Sequence, residues 1–303
     1  LYTAAEILAQ MLPVGIARAD HLRQAGIRRN IQQKHGGDHG IKLLTDPQHI
    51  PLIGFRHILR HPKQAAAKGN IKYITMATET DDDFEFVKYL TQNGVVVSIG
   101  HSAATYEEAV LAYANGASSM THVYNGMTPY NHRANGLVGA AFRLRTMFGE
   151  IICDGNHSTT AALNNFFMSK GPDYSIMVSD ALMAKGTPIG SKHIFGGNEI
   201  EIYPDGSAHL TSTGGLAGST LKLNDGLRIL VEEAMVPFNY AINACTINPA
   251  RCLGIDSYKG KIGAGYDADI VVLDDNYDVL QRPGTVINIT RNYFQRSNPL
   301  HLK

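Results

Sequence analysis

From residue 71 onward, short runs of β-branched and apolar residues alternate with amphipathic stretches of helical length, and this alternation limits the possible folds more than any other feature. Ile71-Lys72-Tyr73-Ile74-Thr75-Met76 predicts a strand, and residues 83–93 predict a helix closed by Gly94. Val95-Val96-Val97-Ser98-Ile99 reads as a buried strand and residues 105–115 as a helix closed by Gly116. The short strand Ser119-Met120-Thr121-His122 comes next, then the strand Glu150-Ile151-Ile152-Cys153, a helix near residues 160–169, and the strand Tyr174-Ser175-Ile176-Met177-Val178-Ser179. Strands that alternate with helices in this way predict βα units around a parallel sheet. So many units in one chain favour an α/β fold of the (β/α)8 TIM-like barrel type, with a doubly wound sheet as the alternative.

Elsewhere the pattern changes. Residues 194–211 have the period-two alternation of a hairpin, with the turn Pro204-Asp205-Gly206, and read as an insertion beside the barrel mouth. Helical patterning resumes over residues 221–235 and 240–245. Residues 260–280 are punctuated by glycine around the strand Asp269-Ile270-Val271-Val272-Leu273, which suggests a small β appendage. The expected division is therefore a barrel over residues 1–257 and a small β unit over residues 258–303. Residues 1–70 hold helical stretches but no strand series, so the N-terminal elements of the barrel are incomplete.

Bulk properties exclude some partners. Lys plus Arg equals Asp plus Glu at 27 each, so no net field draws the chain to nucleic acid or to an anionic membrane. No apolar run approaches the ~20 residues that a membrane helix needs. The first residues carry no basic segment followed by an apolar one, so no signal peptide is expected; the absence of an initiator Met leaves room for residues upstream. Cys153, Cys245 and Cys252 are too few and too scattered for a disulfide framework, which points to a reducing, cytoplasmic compartment.

Polar residues recur where strands end. His101, in Gly100-His101-Ser102, lies just past a buried strand, the position at which barrel enzymes carry catalytic groups. His122 ends the strand one βα unit later. Two imidazoles at equivalent ends of adjacent strands can converge on one zinc or iron ion, or can be satisfied polar residues at the rim. Asp180 sits directly after the apolar strand that ends at Ser179 and suits a proton acceptor for activated water, or a helix N-cap. In Asp154-Gly155-Asn156-His157, His157 is a candidate for holding a polar substrate, while Asp154-Gly155 also reads as a simple turn. Arg133 can bind a phosphate bidentately or stand as a solvated loop residue.

Taken together, Gly100-His101-Ser102 with Ala104-Thr105, Thr121-His122-Val123-Tyr124-Asn125-Gly126-Met127, His132-Arg133, Asp154-Gly155-Asn156-His157 and Val178-Ser179-Asp180-Ala181 resemble the N-acetylglucosamine-6-phosphate deacetylases. Gly214-Gly215-Leu216-Ala217-Gly218-Ser219 is similar to the substrate loop of that family. Asn248-Pro249-Ala250-Arg251-Cys252-Leu253-Gly254 and the Gly260–Asp269 stretch resemble the closing segment of the wider amidohydrolase superfamily. The resemblance runs from about Asn70 to about Leu280. It implies a distorted (β/α)8 barrel with a small β-sandwich, usually as a homodimer, acting on N-acetylglucosamine 6-phosphate. It also implies one or two divalent ions, zinc or iron, with His101 and His122 as ligands. Asp180 is then the catalytic acid/base, and His157, Arg133, Asn125, Gly126 and Leu216 contact substrate. Arg133 is the phosphate contact and can reach into the neighbouring subunit's site. The chemistry is deacetylation by metal-activated water, with glucosamine 6-phosphate and acetate as products.

Three family features are missing, the N-terminal part of the β-sandwich among them. The family's acidic metal ligand stands in a His-Leu-Glu-Gly-Pro motif upstream of the two histidines, and no such motif occurs in this sequence. Its expected place is just before Lys34-His35-Gly36-Gly37-Asp38-His39, which resembles the family segment immediately downstream of that motif. Glu79 is not its replacement, because Met76-Ala77-Thr78-Glu79 resembles a different family segment, one that usually ends Ala-Pro-Glu. The first-strand His-x-His is also absent. The expectation is omission of these pieces from this sequence rather than a damaged site, since the second half keeps every catalytic position. The competing readings are another amidohydrolase, dihydroorotase-like or deaminase-like, and a metal-free sugar-phosphate binding protein.

Overall fold

The structure, a computed structural model, describes residues 69–281. Most of the expectations on residues 1–70, including the segment around Lys34, and those on residues beyond 281 lie outside the described residues. Five short strands carry the fold: β1 (Tyr73–Met76), β2 (Val96–Ile99), β3 (Ser119–Met120), β4 (Phe148–Ile152) and β5 (Ser175–Val178). They form one parallel sheet in the order β1-β2-β3-β4-β5, with Thr75 beside Ser98, Ser98 beside Ser119, Ser119 beside Phe148 and Gly149 beside Ser175. A doubly wound sheet reverses its strand order at a switch point. These five strands instead follow one another in chain order, as successive βα units wound in one direction do, and the doubly wound alternative is set aside.

Helices α1 (Glu85–Gln92), α2 (Tyr106–Ala114), α3 (Gly136–Arg143) and α4 (Thr160–Lys170) occupy the successive crossovers. Each helix starts or packs for a local reason. At α2, Thr105 Oγ1 accepts the Glu108 N–H at 3.2 Å while Glu108 Oε2 accepts the Thr105 N–H at 2.8 Å, a reciprocal cap that satisfies two otherwise orphaned donors. The α1 residues Phe86, Val87 and Leu90 and the α4 residues Leu163, Phe166 and Phe167 are buried with Val97, Ile99, Met120 and Ile151, on the helix-covered face of the strands, in one continuous core. After β5, the predicted hairpin forms a three-stranded antiparallel sheet of β6 (Lys192–Phe195), β7 (Asn198–Ile202) and β8 (Ala208–Leu210), with its own small core around Ile200, Ile202 and Ala208. Beyond it come α5 (Leu223–Arg228), α6 (Phe238–Cys245) and α7 (Ile247–Cys252).

Sequence periodicity and structure part company in several places. The third strand stops at Met120, so His122 stands beyond it. Helix α3 has no counterpart in the periodicity: glycines at 136 and 139 argue against a helix, but burial of Leu137, Val138, Ala140 and Ala141 overrides propensity. The 221–235 helix divides into α5 and a π-helical turn, Ile229–Glu233. The strand predicted at residues 269–273 shortens to β9 (Val272–Leu273), paired antiparallel with β10 (Val279–Gln281). No helix among the described residues is long and apolar enough to cross a membrane.

Lys170, at the end of α4, is buried at 4% exposure, and its Nζ donates to the Leu144 carbonyl at 2.9 Å and to the Met147 carbonyl. Burial pushes its ammonium down to about 7 from 10.5. Between those values the unfolded chain binds a proton that the folded chain does not, so stability rises with pH across the window. Below pH 7 both states are protonated and the penalty of burying the charge is fully present. The urea midpoint is therefore expected to climb from pH 7 to 9, and the climb should flatten in Lys170→Met; parallel curves for the two proteins would refute the assignment.

Candidate active site

The carboxyl ends of the strands place four polar side chains in a common register. His101 lies two residues past β2, His122 two past β3, Asp154 two past β4 and Asp180 two past β5. Neighbouring strands lie about 4.8 Å apart, so equal offsets on consecutive parallel strands line one rim. Three of the four share an unusual backbone: φ is +48° at His101, +31° at His122 and +49° at Asp180. The left-handed region is unfavourable for residues with a Cβ and persists where surrounding contacts over-determine it, commonly at functional sites.

His101 and His122 meet. Their Nε2 atoms are 2.9 Å apart, and the rings stand edge to face at 4.6 Å between centroids and 86° between planes. His122 is buried at 7% exposure, and its Nδ1 lies 3.1 Å from the Asn125 carbonyl. A carbonyl only accepts, so Nδ1 carries the proton and Nε2 presents its lone pair toward His101. Two nitrogens sharing one zinc ion at about 2.0–2.1 Å each would stand roughly 3.3 Å apart, so this separation is within a few tenths of an ångström of a chelating pair. The second-nitrogen bond to a carbonyl is likewise what metal-bound imidazoles use to fix their tautomer. The pair fits as two ligands of a divalent ion. Among the described residues, no group of three or more His, Cys, Asp or Glu completes such a site.

The other predicted residues fall into groups. Gly126 lies against His101: with φ at +57°, a Cβ there would come within 3.2 Å of His101 Nδ1. Asn125 lies three residues past His122, and its Nδ2 is a buried donor without a partner among the described residues. His157 is held by Asp154, whose Oδ2 lies 2.6 Å from His157 Nδ1 and whose Oδ1 accepts the backbone N–H of Asn156 and of His157. Burial raises the Asp154 carboxyl, but the bonds from the His157 ring and backbone outweigh it and hold the group below its ordinary value. Asp154-Gly155 is thus both the turn and the clamp that orients His157.

The Asp180 segment is joined to the Gly214–Ser219 loop. Ser219 N–H donates to the Asp180 carbonyl at 2.7 Å, Leu182 N–H donates to the Ser219 carbonyl at 2.8 Å, and the Ser219 hydroxyl donates to the Ser179 carbonyl. The same loop carries Leu216, which bridges to His209. His209 Nδ1 donates to the Gly214 carbonyl at 2.7 Å. Arg133 stands apart from these groups, exposed on the loop before α3, where its N–H donates to Asn131 Oδ1 at 2.9 Å.

Beneath the rim the sheet interior is polar. Thr75, Ser98 and Thr121 form a hydroxyl chain through contacts of 2.8 and 2.7 Å, and Tyr73 OH donates to Ser119 Oγ at 2.8 Å. Glu150 of β4 lies among them. Burial pushes its carboxyl up to about 7; the nearby Asp180 charge adds to the rise, while the Tyr73 hydroxyl and the His122 N–H oppose it. Sequence reasoning misses Glu150; it picks out Asp154 as a strand-end polar group and Ser219 as part of the loop, but not that they hold His157 and the Asp180 segment. Only Asp154 leaves a signal, a carboxylate three residues before a histidine at a strand end.

The fold and this rim define a class of protein. The chain belongs to the amidohydrolase family, whose model matches residues 88–292. It is 37% identical over 219 residues to the N-acetylglucosamine-6-phosphate deacetylase of Bacillus subtilis (strain 168), a match covering 72% of this chain and 54% of the relative. It is 29% identical over 295 residues to the N-acetylgalactosamine-6-phosphate deacetylase of Escherichia coli O157:H7, covering 93% of this chain and 77% of the relative. Among solved structures, it is similar to the N-acetyl-D-glucosamine-6-phosphate deacetylase of Mycobacterium smegmatis, a D267A mutant in complex with N-acetyl-D-glucosamine-6-phosphate. There the TM-score is 0.69 at 29% identity, covering 76% of this chain and 60% of that one. The chain thus spans about half the length of the Bacillus relative.

Proposed function

We propose that this chain carries the catalytic half of an N-acetylglucosamine-6-phosphate deacetylase. The observation that carries the reading is the pairing of His101 and His122 at 2.9 Å on the same rim as Asp180 and His157. The five parallel strands are read as part of a (β/α)8 barrel within residues 1–257, and β9 with β10 as part of a small β-sandwich within residues 258–303. A divalent ion held by His101 and His122 would supply Lewis-acid activation of water and of the acetyl carbonyl. Asp180 accepts the proton of the attacking water and returns it to the departing amine. His157, fixed through Nδ1 by Asp154, orients the sugar with its other ring nitrogen, and the buried Asn125 amide offers a donor to substrate. Gly126 and Leu216 close around the substrate from the two loops that carry them. The reading also places the protein in the cytoplasm, in keeping with Cys153, Cys245 and Cys252 as free thiols.

Arg133 is assigned to the phosphate. Its exposed position on a loop suits a contact delivered into a neighbouring subunit's site of a homodimer. Arg133→Ala is expected to raise KM for the phosphorylated substrate by about tenfold or more, the loss of a charge-assisted bidentate contact. An unchanged KM would remove Arg133 from the phosphate site.

The direct test is acetate release from N-acetylglucosamine 6-phosphate by the metal-supplemented protein, with the unphosphorylated sugar as control. Release only from the phosphorylated sugar is the expected result. No release from it, together with no bound metal, would favour the non-catalytic reading. The galacto epimer is a second substrate reading, favoured by the Escherichia coli relative, which matches 93% of this chain. Assaying both epimers side by side decides between them.

A further inference from the structure

We propose that Glu79 is the positioning residue for His101, fixing the turn after β2 so that the His101 ring meets His122. Glu79 lies in the first of two 3-10 turns that follow β1, Thr78–Thr80. Its carboxylate spans the next strand end: Oε2 accepts the Ser102 hydroxyl at 2.6 Å and Oε1 accepts the Ala103 N–H at 2.6 Å. Both are short contacts of the charge-assisted kind, which also fix direction. Ser102 relays the grip, because its Oγ accepts the Ala104 N–H at 3.2 Å. On the other side, Ser102 N–H donates to the Gly126 carbonyl at 3.0 Å and Thr128 Oγ1 donates to the Ala104 carbonyl at 2.7 Å.

Residues 102–104 are therefore held between the β1 turn and the loop after β3, with His101 immediately before them at φ +48°. A left-handed histidine relaxes unless its neighbours prevent it. Two of the contacts that hold this turn come from the one carboxylate. Glu79 touches neither substrate nor ion in this role; it acts through the backbone on the residue next to its partners. The inference rests on the proposed function only for what the histidine pair binds.

The test uses the whole chain labelled with 15N-histidine, in Glu79→Ala and Glu79→Gln. The first readout is the ring-to-ring proton contact between His101 and His122 in the metal-free protein; the second is cobalt(II) affinity. Glutamine keeps an oxygen for the Ala103 N–H and offers an amide to the Ser102 hydroxyl, so it should keep the ring contact and most of the affinity. Alanine should lose the ring contact and weaken cobalt binding by roughly 10- to 100-fold, the range for lost supports of a metal ligand. A ring contact that persists in Glu79→Ala overturns the proposal. Should that variant fail to fold, Ser102→Ala removes one of the two anchors and must weaken the ring contact; an unchanged contact overturns the proposal equally. Wild-type protein that shows the ring contact but binds no cobalt would sink the metal reading while leaving the role of Glu79 decided by the ring contact alone.

Discussion

Asp180→Asn is expected to lower deacetylation by about a thousandfold or more while leaving metal content unchanged. A positioned acid/base contributes roughly 10²–10⁴-fold to rate, and under the proposed mechanism one carboxylate would serve both the attack and the departure of the amine. Asparagine keeps the size and the hydrogen-bonding plane but cannot take the proton. The backbone should tolerate it, because the left-handed φ of +49° at this position is one that asparagine accepts readily. The contacts that tie this segment to Ser219 run through main-chain atoms of Asp180 and are untouched. Metal content should hold because the proposed ligands, His101 and His122, stand past the ends of other strands. Substantial residual turnover, or loss of bound metal with the activity, would remove Asp180 from the acid/base role.

Gly100→Ala is expected to destabilise the fold by about 1–3 kcal/mol, the usual cost of forcing an extra methyl group into a packed interior. Gly100 sits where β1, β2 and β3 converge, and a Cβ there would lie 2.7 Å from Thr121 Cβ and 2.8 Å from Thr75 Cγ2. Thr121 Cβ moves with no side-chain rotation, and turning Thr75 to carry its methyl away would also move its Oγ1 off Thr121. Both also belong to the Thr75–Thr121–Ser98 hydroxyl chain, which a shift would stretch. Moving the backbone instead would carry His101 with it. The expected signature is a lower urea midpoint together with a weakened His101–His122 contact, and a midpoint equal to the wild type would show that the threonines yield.

Much of this site is legible in the sequence because it is local. A β-branched run closed by a polar residue announces both a buried strand and a candidate position just past its end, and His101, His122 and Asp180 are placed there that way. The helix after Thr105 is legible for the same reason, since its capping residues lie within one turn of each other. Helix α3 is not legible: its glycines speak against a helix, and the burial that stabilises it comes from elements distant in sequence. The end of β3 at Met120 rather than His122 also depends on neighbours, because a strand lasts only as long as its partners supply hydrogen bonds.

By itself, then, the sequence determined which kinds of side chain stand at the strand ends, and so the class of chemistry they can perform. Tertiary structure alone decided that two imidazoles 21 positions apart bring their nitrogens to 2.9 Å. It decided that Glu79 spans 23 positions to grip Ser102, and that Glu150 lies buried beneath the rim, within reach of the Asp180 charge. The physical reason is range: propensity and periodicity act over a few residues, whereas hydrogen-bond geometry, desolvation and close approach act between atoms that only the folded chain brings together.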